Sequence, residues 1–255
     1  MIVELFGPPA AGKTTLAEAL VIALRKNGCD VQHIASSRPA EIRLNKNECT
    51  NTVRRRPFPL AAPLSRAVKL ASAVPTMLPG ARNDDTGARL MELLPPRGLF
   101  WPVRFRRYLS LLHQSWNMVS ASQGVAILDQ GYISALCSLA LRTRSPDARS
   151  LARGLELVPR PNLLICLDAP REVLRARLFE RLRRQGAVER MFELDLDTNL
   201  KQAEIVRRVA GMLRDQGWPM IDVSCLDQRQ LEGVVDQIVL TIAVQREDVR
   251  NERQA

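Results

Sequence analysis

The residues best suited to phosphate chemistry stand near the start of this sequence. Lys13 and Thr14 close a run that fits the pattern G-x-x-x-x-G-K-[ST]. Backbone N–H groups of such a loop can surround a polyphosphate, the lysine can reach its β- and γ-phosphates, and the hydroxyl group can bind Mg²⁺. The residues predicted to contact the nucleotide are Gly7, Pro8, Pro9, Ala10, Ala11, Gly12, Lys13, Thr14 and Thr15.

A strand and a helix must hold this loop in place. Residues 2–6 form an apolar run typical of a buried strand, and residues 15–24 have the composition of a helix. Gly7 and Gly12 allow backbone conformations that a side chain would block. The helix starting at about Lys13 directs its positive N-terminal dipole at the same point. The sequence therefore predicts a nucleotide site that uses ATP and Mg²⁺ as cofactors.

A carboxylate follows a second apolar strand. The run at 125–128 ends on Asp129, followed by Gln130 and Gly131. In this position an aspartate can hold Mg²⁺ through water, or it can accept the proton of an attacking hydroxyl group. The alternative is that Asp129 only caps the next helix. The sequence favours a catalytic or metal-binding role and leaves the choice between those two open.

A very basic helix follows a third apolar strand. Residues 171–190, which include this helix, are predicted to form a lid that closes over the phosphates. Its arginines can stabilise the phosphoryl group during transfer, while closure excludes water. Arg177, Arg181 and Arg184 share one helical face by their spacing of four and three, and we expect these three to act on the phosphates. Others of the set are expected to be solvated. The six arginines are Arg171, Arg175, Arg177, Arg181, Arg183 and Arg184.

Strand and helix signals alternate along the chain, which predicts an α/β fold with a parallel sheet covered by helices on both faces. A length of 255 residues suits one large domain. We predict a single domain at 1–246, with a helical insertion on the acceptor side at 51–119 and a charged tail at 247–255. The five predicted strands are 2–6, 31–35, 125–129, 163–167 and 219–223.

The formal charge of +10 is concentrated in one segment, since residues 38–107 hold 14 Lys/Arg against 5 Asp/Glu. This excess would attract an anionic substrate, membrane surface or nucleic acid. The alternative interpretation is a surface that only keeps the protein in solution. Residues 97–109 mix aromatic residues with arginines, which suits peripheral membrane contact. The favoured reading is a helix whose aromatic side chains enter the core, and we do not expect a nucleic-acid partner.

The sequence also bears on where the protein is located. No apolar run approaches the length of about 18 residues that spans a bilayer. The first strand begins at residue 2, which leaves no room before it for a signal peptide. We therefore expect a cytoplasmic protein that binds a nucleotide and a small-molecule acceptor. The sequence does not determine the oligomeric state, and a homodimer is one possibility.

Five motifs, taken in order, resemble the thymidylate kinase and deoxynucleoside kinase branch of the P-loop kinases. The resemblance covers about 1–50 and 120–245. It implies a P-loop NTPase three-layer fold with strand order 2-3-1-4-5, ATP as phosphoryl donor, and a lid that bears arginines. The motifs are GPPAAGKTT at 7–15, SRP at 37–39, LDQG at 128–131, LDAPREVLRAR at 167–177, and RMFE at 190–193 before a long helix.

The departures from that family concern the acceptor. Thymidylate kinases follow the carboxylate with an arginine that helps to hold the acceptor's phosphate, and this chain has Gln130 there. Their Arg-Glu-Pro-Gly-Gly after the second strand is reduced to Arg38 followed by Pro-Ala-Glu. We expect Arg38 and Gln130 to contact the acceptor. Because a phosphate-binding arginine is missing, a neutral hydroxyl acceptor with Asp129 as general base is favoured.

Two alternatives remain open. One is a nucleotide-binding regulatory protein of the P-loop class that has no acceptor chemistry. The other is a kinase-like protein of bacterial polysaccharide synthesis, suggested by analogy through a similar Asp-Gln-Gly motif. The sequence does not identify the acceptor as a nucleoside, nucleotide, sugar, lipid or antibiotic.

Overall fold

The computed structural model describes residues 1–35, 85–143, 146–184, 196–224 and 228–252. Within them, five parallel strands form one sheet in the order β2-β3-β1-β4-β5, which confirms the predicted order and the α/β class. Two strands have the predicted bounds, and the other three are each one residue shorter than predicted. The strands are β1 (Ile2–Phe6), β2 (Val31–Ile34), β3 (Val125–Leu128), β4 (Leu163–Leu167) and β5 (Met220–Val223).

Helices cover both faces of the sheet, as the buried apolar strands require. They pack as amphipathic elements, and their bounds agree with the predicted helical segments to within a few residues at most ends. The eight helices in the described ranges are α1 (Lys13–Lys26), α2 (Asp85–Leu93), α3 (Trp101–Ser120), α4 (Tyr132–Arg142), α5 (Ala148–Leu157), α6 (Arg171–Arg184), α7 (Leu196–Asp215) and α8 (Gln228–Glu252).

The central strand β1 sends alternate side chains into two separate hydrophobic clusters. Ile2 and Phe6 pack with α2, α3, α4, α5 and α7 on one face of the sheet. Val3 and Leu5 pack with α1 and α8 on the other face. Because side chains alternate along a strand, Glu4 points toward the same face as Ile2 and Phe6. A carboxylate is therefore placed inside an apolar layer.

The segment 97–109 divides between the core and the surface. Phe105 and Leu109 on α3 are buried in the larger cluster, as the favoured reading predicts. Arg104 and Arg142 lie over the ring of Trp101, at 5.1 and 3.8 Å from its centroid. The two residues before the helix, Leu99 and Phe100, are 90% and 86% exposed. Peripheral membrane contact through this segment stays a prediction.

The last helix, α8, continues to Glu252, about seven residues beyond its predicted end near Gln245. No glycine or proline lies between those two residues, and charged residues such as glutamate and arginine have good helix propensity. Part of the predicted charged tail is therefore helical. None of the helices in the described part of the chain combines the length and apolar character that crossing a bilayer requires.

Candidate functional site

The phosphate loop follows β1 at the carboxyl edge of the sheet, where α/β folds bind ligands. Its backbone takes left-handed conformations at Ala10 (φ 63°) and Gly12 (φ 102°). Gly7 has φ 156°, and a Cβ atom there would stand 2.3 Å from the carbonyl oxygen of Leu167 on β4. Only glycine fits so close to a neighbouring strand, so the first glycine of the motif lets the loop leave β1 beside β4.

The N-terminus of α1 fits an anionic group. Its N-cap residue is Gly12, which offers no side chain to cap the helix, and the first turn contains no acidic residue. A helix end of this kind presents backbone N–H groups and the positive end of the helix dipole. This arrangement fits a phosphate group, and the predicted phosphate contacts of residues 7–15 therefore remain consistent with the geometry.

The ammonium group of Lys13 lies inside the loop. Its Nζ atom donates to the carbonyl oxygens of Gly7 and Pro8, at 2.8 Å in each case. The loop thus folds around the cation. A polyphosphate that enters the loop would meet a positive charge already held at the centre of the loop.

Thr14 and Asp129 meet across two neighbouring strands. The Thr14 hydroxyl donates a hydrogen bond of 3.2 Å to Oδ2 of Asp129. Thr14 is the second residue of α1, which follows β1 and the phosphate loop, whereas Asp129 directly follows β3. Asp129 is only 1% exposed. A hydroxyl and a carboxylate oxygen at this separation are hard oxygen donors of the type that Mg²⁺ prefers. The pair therefore fits the predicted metal ligands.

The predicted arginines reach the site to different extents. Arg177 on α6 donates from Nη1 to the carbonyl oxygens of Ala10 and Ala11, at 3.4 and 3.5 Å. Arg181 lies one turn further along the same helix and is partly exposed. Arg184 is the final residue of that helix, and its side chain lies outside the described residues, as does Arg38. The structure thus brings Arg177 to the phosphate loop.

Gln130 lies at a small cleft beside the phosphate loop. The cleft runs from Lys13 on α1 to Gln202 on α7, and its free volume is about 10 Å³. That space accommodates about one water molecule. Gln202 is buried, and its side-chain amide donates to the Ser138 hydroxyl at 3.4 Å. The polar residues that line the cleft are Lys13, Gln130, Ser134, Ser138 and Gln202.

The next strand end carries a carboxylate of a different kind. Asp168 follows β4 and is bonded by two nitrogens of Arg207 on α7, at 2.8 Å to Oδ2 and 3.1 Å to Oδ1. Both side chains of this pair are about 40% exposed. Asp168 is thus engaged by an arginine, while Asp129 is buried beside the hydroxyl group of the loop.

Glu4 lies close to the phosphate loop and to the turn that contains Asp129, and our sequence analysis did not identify it. It lies in the middle of β1, is completely buried, and accepts hydrogen bonds from the backbone N–H groups of Ile133 and Ser134, at 2.8 and 3.3 Å. Burial raises its pKa to about 7, against the lowering effect of these backbone hydrogen bonds. A charged residue inside an otherwise apolar strand is a signal that could have identified it.

The raised pKa of Glu4 predicts a pH-dependent stability. Glu4 has a model-peptide pKa of 4.5 and a folded-state pKa of about 7, so in that interval the unfolded chain releases this proton while the folded protein keeps it. Stability should therefore fall as pH rises from 4.5 to about 7, by about 3 kcal/mol from this residue. Glu4→Gln does not titrate and should lack this component.

Denaturant unfolding of both proteins at several pH values measures the effect. The difference in unfolding free energy between wild type and Glu4→Gln isolates the contribution of Glu4, because every other ionisable group is present in both proteins. A difference that stays constant from pH 4.5 to just above 7 would show that Glu4 does not titrate in this range.

The similarity of this chain to known proteins is one of structure and not of sequence. None of the protein-family models matches the sequence, and no curated protein matches it either. Among solved structures, the chain is similar to a deoxyadenosine kinase from M. mycoides with bound dCTP, with a TM-score of 0.47 and 11% identity. The similarity covers 94% of this chain and 100% of that chain.

Proposed function

We propose that this protein is an ATP- and Mg²⁺-dependent phosphotransferase that moves the γ-phosphoryl group of ATP to a hydroxyl group of a small-molecule acceptor. The observation that carries the proposal is the meeting of Lys13, Thr14 and Asp129 at one edge of the sheet. The loop holds an ammonium group, and the 3.2 Å contact between Thr14 and Asp129 joins it to the carboxylate of the next strand. Charge stabilisation and positioning are what phosphoryl transfer requires of a protein.

Each residue has a defined part in the reaction. Lys13 and the backbone of the loop bind the β- and γ-phosphates, while Thr14 and Asp129 would hold Mg²⁺ directly or through water. Held there, the ion would supply positive charge to offset the charge of the phosphates. The acceptor oxygen forms a bond to the γ-phosphorus as the bond from that phosphorus to the β,γ-bridging oxygen breaks. The hydroxyl proton passes to Asp129 or to solvent, and ADP leaves.

We assign the arginines of α6 to a second source of positive charge at the phosphate loop. Arg177 lies against the backbone of the phosphate loop through its contacts with Ala10 and Ala11. A guanidinium group there is close to where γ-phosphate charge would develop. Arg181 and Arg184 are proposed to join it when the lid at 171–190 closes over the nucleotide.

The cleft beside Lys13 supports a hydroxyl group as the acceptor. Its polar lining, among the described residues, consists of two amides and two hydroxyls in addition to Lys13, which we assign to the ATP phosphates. Neutral amides and hydroxyls can donate to and accept from an alcohol, whereas a phosphate dianion requires positive charge to offset its desolvation. The lining of the cleft therefore favours an alcohol over a phosphorylated acceptor.

An acceptor panel tests the proposal. The protein is incubated with Mg²⁺ and γ-labelled ATP in the presence of nucleosides, nucleotides, sugars, glycolipids and aminoglycosides, and both labelled product and ADP are measured. We expect label to appear on a hydroxyl-bearing compound, with ADP formed in equal amount. Slow ADP formation that no acceptor accelerates would instead identify a nucleotide-binding regulatory protein.

The residue after Asp129 provides a specificity prediction. Gln130→Arg adds a guanidinium group to the cleft, and a charged donor binds a phosphate more strongly than an amide does. We expect the ratio of kcat/KM for the phosphorylated form of the best acceptor to that for its hydroxyl form to rise about tenfold, corresponding to about 1.4 kcal/mol. Gln130→Glu is the control and should lower the same ratio. An equal ratio in all three proteins would place Gln130 away from the acceptor.

A further inference from the structure

Glu4 connects the strand that carries the phosphate loop to the turn that carries Asp129. On β1 it is paired in register with Leu128, the last residue of β3, so it lies immediately beside that turn. Its Oε1 atom accepts hydrogen bonds from the backbone N–H groups of Ile133 and Ser134. These two residues occupy the second and third positions of α4, whose N-cap residue is Gly131. Glu4 is three residues before Gly7, the first residue of the loop.

The contact replaces a missing helix cap. N-terminal helix positions need acceptors because their N–H groups have no partner within the helix, and a side chain at the N-cap usually provides one. Gly131 has no side chain, and no side-chain cap is formed by this residue. Glu4 supplies the acceptor from a different element instead. When Glu4 is ionised, its negative charge also lies at the positive end of the α4 dipole.

Gly131 and Glu4 are matched in shape. A Cβ atom on Gly131 would stand 2.4 Å from the carboxyl carbon and from Oε2 of Glu4. No side chain at position 131 could therefore coexist with the carboxylate in this arrangement. The carboxylate occupies the space where the cap residue of α4 would ordinarily place its own side chain.

A buried carboxylate is a costly way to hold a helix. Ile2 and Phe6 on the same face of β1 are apolar, and an apolar residue at position 4 would fit the surrounding cluster without desolvating a charge. Such a residue would, however, leave the backbone N–H groups of Ile133 and Ser134 without this acceptor. What the carboxylate provides, and an apolar residue cannot, is a directional bond to the segment that begins at Asp129.

We propose that Glu4 is a positioning residue, which fixes the Asp129–Gln130–Gly131 turn relative to the phosphate loop by binding the N-terminus of α4. The proposal rests on the function proposed above, since it assigns Asp129 to the reaction. Lys13 and Thr14 are held by the loop that follows β1, and Asp129 is held by a turn bonded back to β1. The phosphate loop and the turn that contains Asp129 are thus both attached to β1.

Hydrogen exchange tests the structural half of the proposal without any activity. Glu4→Met removes the acceptor and keeps an unbranched side chain of similar length, whereas Glu4→Gln keeps an acceptor oxygen. We expect the amides of Ile133 and Ser134 to exchange about tenfold faster in Glu4→Met, the size of effect expected for a lost helix cap, and near the wild-type rate in Glu4→Gln. Amides of α1 are the internal control and should be unchanged.

Turnover tests the catalytic half. In Glu4→Met we expect kcat to fall about 100-fold, because small displacements of a catalytic group have effects of this order. The Kd for ATP measured without Mg²⁺ should stay within about threefold of wild type, since the phosphate loop is intact. Glu4→Gln should recover most of the turnover. A variant that was merely unfolded would lose ATP binding together with turnover.

A second variant tests the match between the two residues. Gly131→Ala should lower kcat by a factor similar to that of Glu4→Met, because its Cβ displaces the carboxylate. Combined with Glu4→Ala, which removes the clash, Gly131→Ala should add little further loss, so the two effects should be far from additive. Additive losses would show that the residues act independently.

The outcomes separate this proposal from the function on which it rests. Unchanged exchange at Ile133 and Ser134 in Glu4→Met would overturn the positioning role, whatever the activity of the wild type. Faster exchange with unchanged kcat in an active enzyme would overturn it as well. If the wild type phosphorylates no acceptor, the proposed function fails, and exchange still decides whether Glu4 holds the turn.

Discussion

Lys13→Ala is expected to lower phosphoryl transfer at least about 100-fold while the protein remains folded. The substitution removes the cation from the centre of the loop, where γ-phosphate charge must be stabilised during transfer, and losing one preorganised donor has effects of this order. The fold should survive, because the bonds that Nζ makes to Gly7 and Pro8 lie within the loop itself. ATP affinity should fall as well, since Lys13 binds the phosphates of the ground state.

The measurement is the rate of labelled product at saturating ATP, with circular dichroism and thermal unfolding as the check on folding. Lys26→Ala is the matched control, because Lys26 is an exposed lysine at the opposite end of α1. It should retain wild-type turnover. Undiminished transfer by Lys13→Ala at saturating ATP would refute the proposed role of the loop.

Asp129→Asn is expected to lower kcat about 100- to 1,000-fold with little loss of stability. The amide keeps the size of the carboxylate and an oxygen that can accept from the Thr14 hydroxyl, but it loses the charge that would hold a metal or take up a proton. Because Asp129 is buried, a change of shape at this position would confuse the result, and asparagine avoids it. ATP binding in the absence of Mg²⁺ should be almost unchanged.

The metal dependence of the remaining activity separates the two roles of Asp129. If the carboxylate holds Mg²⁺, the Mg²⁺ concentration needed for half-maximal rate should rise in the variant. If it acts only as a base, that concentration should stay the same while the pH profile of kcat changes. The 3.2 Å contact with Thr14 favours the first result.

Asp168→Asn is the matched control for Asp129→Asn. Asp168 also follows a strand at the carboxyl edge of the sheet, but Arg207 engages it and both side chains are substantially exposed. An exposed ion pair contributes little to stability, so turnover and unfolding should stay close to wild type. Equal losses of turnover in the two variants would mean that Asp129 has no specific role in the reaction, and that any carboxylate lost from this edge of the sheet lowers activity.

Much of the fold could be predicted because its signals are local. Buried strands such as β1 and β4 are continuous apolar runs, and an alternation of strands with helices leaves a parallel sheet as the natural solution. The order of the strands in the sheet could not be predicted from local patterns, since no pattern within a strand identifies its neighbour. That order came from the resemblance to the P-loop kinases, and the sheet confirms it.

The cleft beside the loop and the role of Glu4 could not be predicted in the same way. Gln202 is 72 residues from Gln130 in the sequence, and no spacing rule relates them, yet both line one cleft. Glu4 was visible as a charge in an apolar strand, but its partner is the N-terminus of a helix about 130 residues later. Contacts between distant segments depend on how the helices pack on the sheet.

The sequence by itself determined the chemistry that this protein can offer: a loop for phosphate, a lysine, a hydroxyl group, and a carboxylate at a strand end. These features are local because a loop, its strand and its helix are continuous in the chain. Only the tertiary structure decided which of them meet. It brought Thr14 to Asp129 and Arg177 to the loop, and it placed Glu4 under α4, because neighbouring parallel strands end at one edge and alternate residues of β1 face opposite layers.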